Sequence, residues 1–177
     1  MKKLKIAIFE LTRMTPGGGQ KVMPCVASHL AEKHDVTVFA QAATQGGLTY
    51  GKSKIKIIKP SSIFFSHLAF LFQKIRKENF NLVIYGCFPA TLAVFRNKDI
   101  PSVHITHSPP RAFYDLRNYL FKNSNFSGKL KIFIKNALFK KLDYIAVRKM
   151  NKVLGISIAV QKRVNRFYKR DANFFHL

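Results

Sequence analysis

The chain has 177 residues and a hydrophobic fraction of 47%, which predicts one globular domain with a packed core and argues against disorder. Lysine and arginine number 31 against 8 acidic residues, a formal net charge of +23, so we expect a cationic surface with anionic partners. This charge does not choose among nucleic acid, an anionic membrane and phosphorylated substrates. An AT-rich genome alone gives a similar excess of lysine.

The cysteines and the apolar segments give information about the compartment. Cys25 and Cys87 lie far apart and lack the spacing of a zinc site or a disulfide framework, which favours reduced cytosolic thiols. The apolar run at residues 4–9 is ended by Glu10, so it is too short for a signal peptide and is typical of a buried strand. The longest apolar run, residues 63–72, is far shorter than the roughly 20 residues of a membrane span.

Short apolar runs alternate with longer helical patterns along the whole chain. This alternation is typical of βαβ units, with a mostly parallel sheet and helices on both faces. The fold class is therefore predicted as α/β, a single Rossmann-like domain. Six strands are predicted, at residues 5–9, 36–40, 55–58, 82–85, 102–106 and 152–155.

Helices are expected between these strands. The first is predicted over residues 20–33, and a long, strongly basic amphipathic helix is predicted over residues 127–149. A last helix is predicted to begin after Ser157 as its N-cap and to end near Tyr168. Residues 171–177 fit either one more edge strand or a loose tail.

A glycine-rich segment follows the first strand and opens the first helix. Gly17, Gly18 and Gly19 let the main chain approach a ligand closely, and the helix N-terminus adds partial positive charge, which suits a phosphate. A tight strand-to-helix turn in any α/β protein gives the same pattern. The spacing matches neither a dinucleotide fingerprint nor a P-loop, so neither NAD binding nor ATPase activity is indicated.

A second polar cluster follows the fifth strand. His107 and Arg111 are expected at the same carboxyl edge of the sheet as the glycine loop, where open α/β sheets bind their ligands. A histidine can bind a sugar hydroxyl and an arginine can bind a phosphate, although His107 also fits an ordinary hydrogen-bonded loop residue. His104, on the strand itself, is expected in the core. No hydrolase arrangement or metal-binding spacing is visible.

These segments together resemble the N-terminal domain of glycosyltransferase family 4, which has the GT-B architecture of two facing Rossmann-like domains. The similarity covers nearly the whole chain. It rests on the first strand with its three glycines, on a "H-x-V-x-V" second strand at residues 34–38, on residues 80–84, on the His-Ser-Pro-Pro-Arg loop at residues 107–111, and on residues 143–157.

The resemblance implies roles for several residues. Gly17, Gly18 and Gly19 would face the diphosphate of a nucleotide-sugar donor, and His107 would contact the donor sugar near the reacting centre as the catalytic candidate. No metal or other cofactor is implied. Because the N-terminal domain of the family binds the acceptor, the acceptor-side candidates are Arg111, Tyr114 and Asp115.

The resemblance also implies a function for the chain. Residues 1–177 would form the N-terminal domain of a retaining enzyme that moves a hexose, such as mannose, to a lipid-linked or polysaccharide acceptor in the cytoplasm. The family's donor-binding second domain begins beyond Leu177, so we expect the chain to be inactive alone. The basic helix suggests peripheral contact with the inner face of the membrane.

Two alternatives remain at this point. One is a non-catalytic module that binds nucleic acid or a membrane, for which the net charge is the support, although nucleic acid is disfavoured because no RNA- or DNA-binding motif is present. The other is a subunit that is completed by a separate chain.

Overall fold

The computed structural model describes residues 2–11, 21–41, 50–58 and 68–174. These residues form a seven-stranded sheet in the order β3-β2-β1-β4-β5-β6-β7, with every neighbouring pair parallel. The strands are β1 (Lys5–Glu10), β2 (Asp35–Ala40), β3 (Lys54–Ile57), β4 (Leu82–Tyr85), β5 (Ser102–Thr106), β6 (Lys152–Gly155) and β7 (Asn173–Phe174).

The described helices lie on both faces of this sheet. They are α1 (Val22–Ala31), α2 (Arg117–Lys122), α3 (Phe126–Lys135), α4 (Lys141–Lys149) and α5 (Ile158–Tyr168), with short 3-10 helices at Ala69–Phe72, Lys77–Asn79 and Ala90–Arg96. The chain is therefore a Rossmann-like α/β domain, which confirms the predicted fold class. None of the described helices is both long enough and apolar enough to cross a bilayer.

The core consists of two large apolar clusters, one on each face of the sheet, and a third cluster between α4, α5 and β6. The inner strands β1, β2 and β4 are buried on both faces, as the continuous apolar runs predict. On one face α1 packs over Ile6 and Ile8, and on the other the 3-10 helix Ala90–Arg96 packs over Phe9. The Phe9 ring stacks against Phe39, with the ring centroids 4.9 Å apart.

All six predicted strands are present, and the alternative of an edge strand near the C-terminus is confirmed by β7. The cap of α5 is also confirmed, because the Ser157 hydroxyl accepts a hydrogen bond from the Val160 amide at 3.3 Å. The positive φ of Lys169, +51°, ends that helix in a left-handed residue.

The long basic helix differs from the prediction. Residues 126–149 are helical throughout, but a π-helical segment, Asn136–Lys140, separates α3 from α4. At its start the Asn136 side chain donates a hydrogen bond to the Ile132 carbonyl at 2.9 Å and thereby competes with the regular helical bonds. The apolar side chains Leu130, Phe133 and Ile134 of α3 are exposed, whereas Ala146 and Val147 of α4 are buried, so the two halves do not form one continuous core-facing stripe.

The helix between β4 and β5 is the 3-10 helix Ala90–Arg96. Asn97 ends it, because its side-chain amide donates to the Ala93 carbonyl at 2.7 Å and to the Gln73 carbonyl at 2.9 Å. Its Oδ1 accepts from the Ile75 amide, also at 2.9 Å. Phe70 is completely buried beside this helix.

Candidate active site

A cavity of about 300 Å³ lies at the carboxyl edge of the sheet. It lies between β1 and β4, where the strand order of the sheet reverses. In open α/β sheets the connections on the two sides of such a point leave a crevice that binds ligands. The end of β1 and the segments after β4 and β5 surround it. The lining residues are Glu10, Leu11, Cys87, Phe88, His107, Ser108, Pro109, Pro110 and Arg111.

Glu10 is an acidic residue at the base of this cavity. It is the last residue of β1, its exposed fraction is 6%, and its Oε2 has no hydrogen-bond partner among the described residues. Burial raises the pKa of the Glu10 carboxyl well above its usual value, and the nearby Cys87 raises it further, while His107 lowers it. Burial therefore favours the uncharged form of the carboxyl.

Cys87 lies between β4 and the histidine loop. Its thiol is 3.6 Å from the Thr106 hydroxyl and 3.9 Å from the Ser108 carbonyl, which ties the end of β4 to the end of β5. Burial raises the pKa of the Cys87 thiol, so the sulfur is a neutral, weakly polar wall of the cavity rather than a reactive thiolate.

The loop after β5 carries His107 and Arg111 along one side of the cavity. Pro109 and Pro110 between them restrict the backbone, and a turn follows in which the Leu116 amide bonds to the Arg111 carbonyl at 2.9 Å. The Arg111 guanidinium is half exposed and lies 3.4 Å from Oδ2 of Asp115. It is thus an accessible cation on the cavity rim.

Asp115 and Tyr114 are not among the residues that line the cavity. Asp115 accepts a hydrogen bond from Nη2 of Arg163 at 2.7 Å, which joins the loop to α5. The Tyr114 ring stacks on Phe167 with the centroids 4.8 Å apart. Both residues therefore fasten the loop to the helix behind it.

Asp143 forms a second buried acidic site, behind the loop. Its carboxylate accepts hydrogen bonds from the hydroxyls of Tyr168 at 2.7 Å, Tyr114 at 3.2 Å and Thr91 at 3.4 Å. These three hydroxyls lower its pKa, but burial outweighs them and raises the pKa to about 7. The cluster connects α4, α5 and the loop, and none of its members lines the cavity.

The site residues predicted from the sequence therefore do not all lie at the cavity. His107 and Arg111 lie around the cavity, whereas Tyr114 and Asp115 lie outside its lining. Gly17, Gly18 and Gly19 fall outside the described residues. The buried position of His104 agrees with the expectation of a core residue: its exposed fraction is 2%, Nδ1 lies 3.1 Å from the Tyr85 carbonyl, and burial lowers its pKa to about 4.

Glu10 is the site residue that the sequence analysis did not identify as one. In the sequence it serves only to end the first apolar run. The available signal was its position, because a carboxyl directly at the end of a doubly buried strand must lie at the ligand-binding edge of the sheet.

Comparison with known proteins gives a family and a fold. The family model described as Glycosyltransferase Family 4 matches residues 16–174. Comparison with curated proteins finds no match. The search of solved structures finds CalG4, the calicheamicin glycosyltransferase, at a TM-score of 0.52 and 16% identity, covering 99% of this chain and 51% of that one.

Two further solved structures share the fold. A glycosyltransferase from Rickettsia africae ESF-5 has a TM-score of 0.51 and 15% identity, covering 99% of this chain and 43% of that one. A ugt transferase from Siraitia grosvenorii in complex with UDP has a TM-score of 0.50 and 15% identity, covering 98% and 50%. The chain therefore spans about half the length of these proteins or less.

Proposed function

The chain belongs to Glycosyltransferase Family 4, and on that premise we propose that it is the acceptor-side half of a retaining hexosyltransferase. The proposed reaction moves a hexose from a nucleotide diphosphate-sugar to a lipid-linked or polysaccharide acceptor. The observation that carries this proposal is the cavity at the strand-order reversal, with His107 and Arg111 on its wall. The UDP bound to the Siraitia grosvenorii enzyme, which shares the fold, supports a nucleotide-linked donor.

In this proposal the cavity receives the hexose ring. A hexose presents several hydroxyl groups, and the cavity offers His107, Ser108 and Glu10 as hydrogen-bonding side chains beside apolar Phe88 and Leu11. A volume of about 300 Å³ accommodates one sugar ring but not a complete nucleotide-sugar. The nucleotide would therefore extend out of the cavity, toward the second half of a two-domain enzyme.

His107 would act on the donor sugar, as the family resemblance implies. Its imidazole can accept a hydrogen bond from a sugar hydroxyl or donate one, and it helps to fix the ring against the acceptor hydroxyl. Arg111 on the rim would neutralise charge on the acceptor or on the departing diphosphate. We propose that the chemistry requires no bound metal.

Contact with an anionic membrane is part of the proposal, because lipid-linked acceptors are held at that surface. Along α3 and the π-helical segment, apolar side chains recur every four residues and remain exposed: Phe126, Leu130, Ile134 and Leu138, with Phe133 beside them. We define these five residues as the apolar stripe. An exposed apolar stripe on a chain with a net charge of +23 is the pattern of a helix that lies in the plane of an anionic membrane.

The test is hexose transfer by the chain joined to a second domain of the same family. We expect the chain alone to fold but not to catalyse multiple turnovers. A cleft that is formed by one domain only leaves the donor in water and poorly positioned. The joined protein should transfer labelled hexose from GDP-mannose or UDP-glucose to membrane-extracted acceptors, with retention of the anomeric configuration. In the joined protein His107→Ala should lower kcat by about 100-fold or more.

A control variant separates catalysis from folding. Tyr144→Phe changes a side chain of α4 that does not line the cavity, and it should leave transfer intact. Steady turnover by the isolated chain, or an inverted product, would show that the proposed reaction is wrong.

A further inference from the structure

We propose that Glu10 is a sugar-binding residue of the cavity, whose carboxyl group exchanges hydrogen bonds with hydroxyl groups of the bound hexose. This inference rests on the proposed function and adds a residue that selects the ligand. It has three supports: the missing partner of Oε2, the space that Gly86 leaves for the carboxyl, and the chemistry of the surrounding walls.

The first support is the missing hydrogen-bond partner. Oε2 of Glu10 is shielded from solvent and unpartnered among the described residues, although buried polar atoms are rarely left so. A side chain of this kind weakens the folded state in the absence of a ligand. An apolar residue at the end of β1 would continue the buried run of the strand and avoid this loss, so the acid is unfavourable for stability unless something binds to it.

The second support is Gly86, which directly follows β4. Phe9 and Tyr85 are paired in the sheet, so Glu10 and Gly86 lie side by side just beyond that pair. A Cβ on Gly86 would overlap Oε2 of Glu10. The glycine thus leaves the space that the carboxyl occupies, while its amide remains bonded to the Phe9 carbonyl at 2.8 Å. The backbone at position 86 therefore accommodates the Glu10 carboxyl.

The third support is the set of groups around the carboxyl. Cys87 from the β4 side and His107 and Arg111 from the loop after β5 line the same cavity. Burial favours the neutral form of the Glu10 carboxyl, and this form can both donate and accept a hydrogen bond. A sugar hydroxyl also does both, so the two groups are complementary. Glu10 offers no positive charge to a phosphate.

The experiment combines sugar titration with thermal unfolding of the 177-residue chain. Methyl α-D-mannopyranoside and methyl α-D-glucopyranoside are titrated to tens of millimolar while the Gly86 amide and the His107 imidazole are followed by NMR, a range suited to roughly millimolar affinity. The variants are Glu10→Met, which fills the space without polar atoms, and Glu10→Gln, which keeps a neutral donor and acceptor. Glu78→Met, an exposed glutamate of a 3-10 helix, is the matched control.

Wild type and Glu10→Gln should both show saturable shifts at Gly86 and His107 with at least one of the two sugars. Glu10→Met should weaken that binding by about fivefold or more and raise Tm by a few degrees, because it removes a buried unpartnered group. Glu78→Met should change neither. A structural role for Glu10 predicts the opposite in stability, a lower Tm for Glu10→Met.

Two results overturn the inference: a lower Tm for Glu10→Met with unchanged sugar affinity, or no sugar-dependent shift at Gly86 in the wild type. Neither depends on transfer activity. If the sugars bind as expected but the joined two-domain protein transfers no hexose, the proposed function fails while Glu10 as a sugar-binding residue stands.

Discussion

Tyr168 donates its phenolic hydrogen to Oδ2 of Asp143 across 2.7 Å, and both side chains are almost completely shielded from solvent. The pair fixes α5 against α4, and Tyr114 joins it from the loop that follows the cavity wall. The packing of α4, α5 and the loop behind the cavity therefore depends on the protonation of the Asp143 carboxyl.

The stability contribution of Asp143 should decrease as the pH rises. Its pKa in the folded chain is about 7, above the ordinary value of 3.8, so the folded state binds more protons between these values. The contribution is complete below about pH 4 and is lost as the pH rises through 7. Asp143→Asn should therefore gain a few kcal/mol in unfolding free energy relative to wild type between pH 5 and pH 8, measured by urea denaturation.

The comparison with wild type is essential, because His104 acts in the opposite direction: burial lowers its pKa to about 4. Tyr168→Phe should extend the loss of stability to higher pH, because the charged carboxylate then loses its shortest hydrogen bond and the pKa of Asp143 rises further. Tyr144→Phe, a tyrosine outside this cluster, serves as the control. A difference between Asp143→Asn and wild type that is independent of pH would contradict the assigned environment.

Gly86→Ala should destabilise the chain through the Glu10 carboxyl. The added Cβ would overlap Oε2 and displace the carboxyl, so we expect a loss of about 1–3 kcal/mol in unfolding free energy. In a Glu10→Ala background the same change should cost much less. The double-mutant cycle by chemical denaturation measures this coupling, and additive effects would show that the two residues do not share the space.

Arg170 should contribute strongly to the stability of the C-terminal end of α4. Its Nη1 donates to the carbonyls of Val147 and Arg148, both at 2.9 Å, and its Nη2 donates to the Asn151 carbonyl at 2.8 Å. A lysine cannot reproduce this fork, so Arg170→Lys should lower the unfolding free energy by about 1–2 kcal/mol. Arg166→Lys, over the exposed side of Phe167, is the matched control and should change stability by less than about 0.5 kcal/mol.

The apolar stripe should govern binding to anionic vesicles. The double variant Leu130→Ser/Ile134→Ser removes two exposed side chains, each more than half accessible, and should weaken co-sedimentation with phosphatidylglycerol vesicles by about tenfold. Ile158→Ser, equally exposed but on α5, should have no effect. Binding should also fall with added salt. Equal binding to neutral and anionic vesicles would contradict the electrostatic part of the proposal.

The amino-acid sequence by itself determined the order and type of the elements that form the sheet. Continuous apolar runs such as Ile6–Phe9 are strands because both their faces must be covered, and Ser157 predicts a helix start because its hydroxyl can accept from a free amide. These signals are local, so they need no knowledge of distant residues. They also placed His107 at the carboxyl edge of the sheet, since it directly follows β5.

Only the tertiary structure decided the surroundings of individual side chains. Glu10 can lie buried at the cavity because Gly86, 76 residues later in the chain, leaves space for its carboxyl. Tyr114 contacts Asp143 and Phe167 and does not line the cavity, and the side chains of the apolar stripe are exposed rather than packed in the core. Burial and hydrogen bonding of this kind depend on contacts between distant segments, and a local pattern of residue types does not predict those contacts.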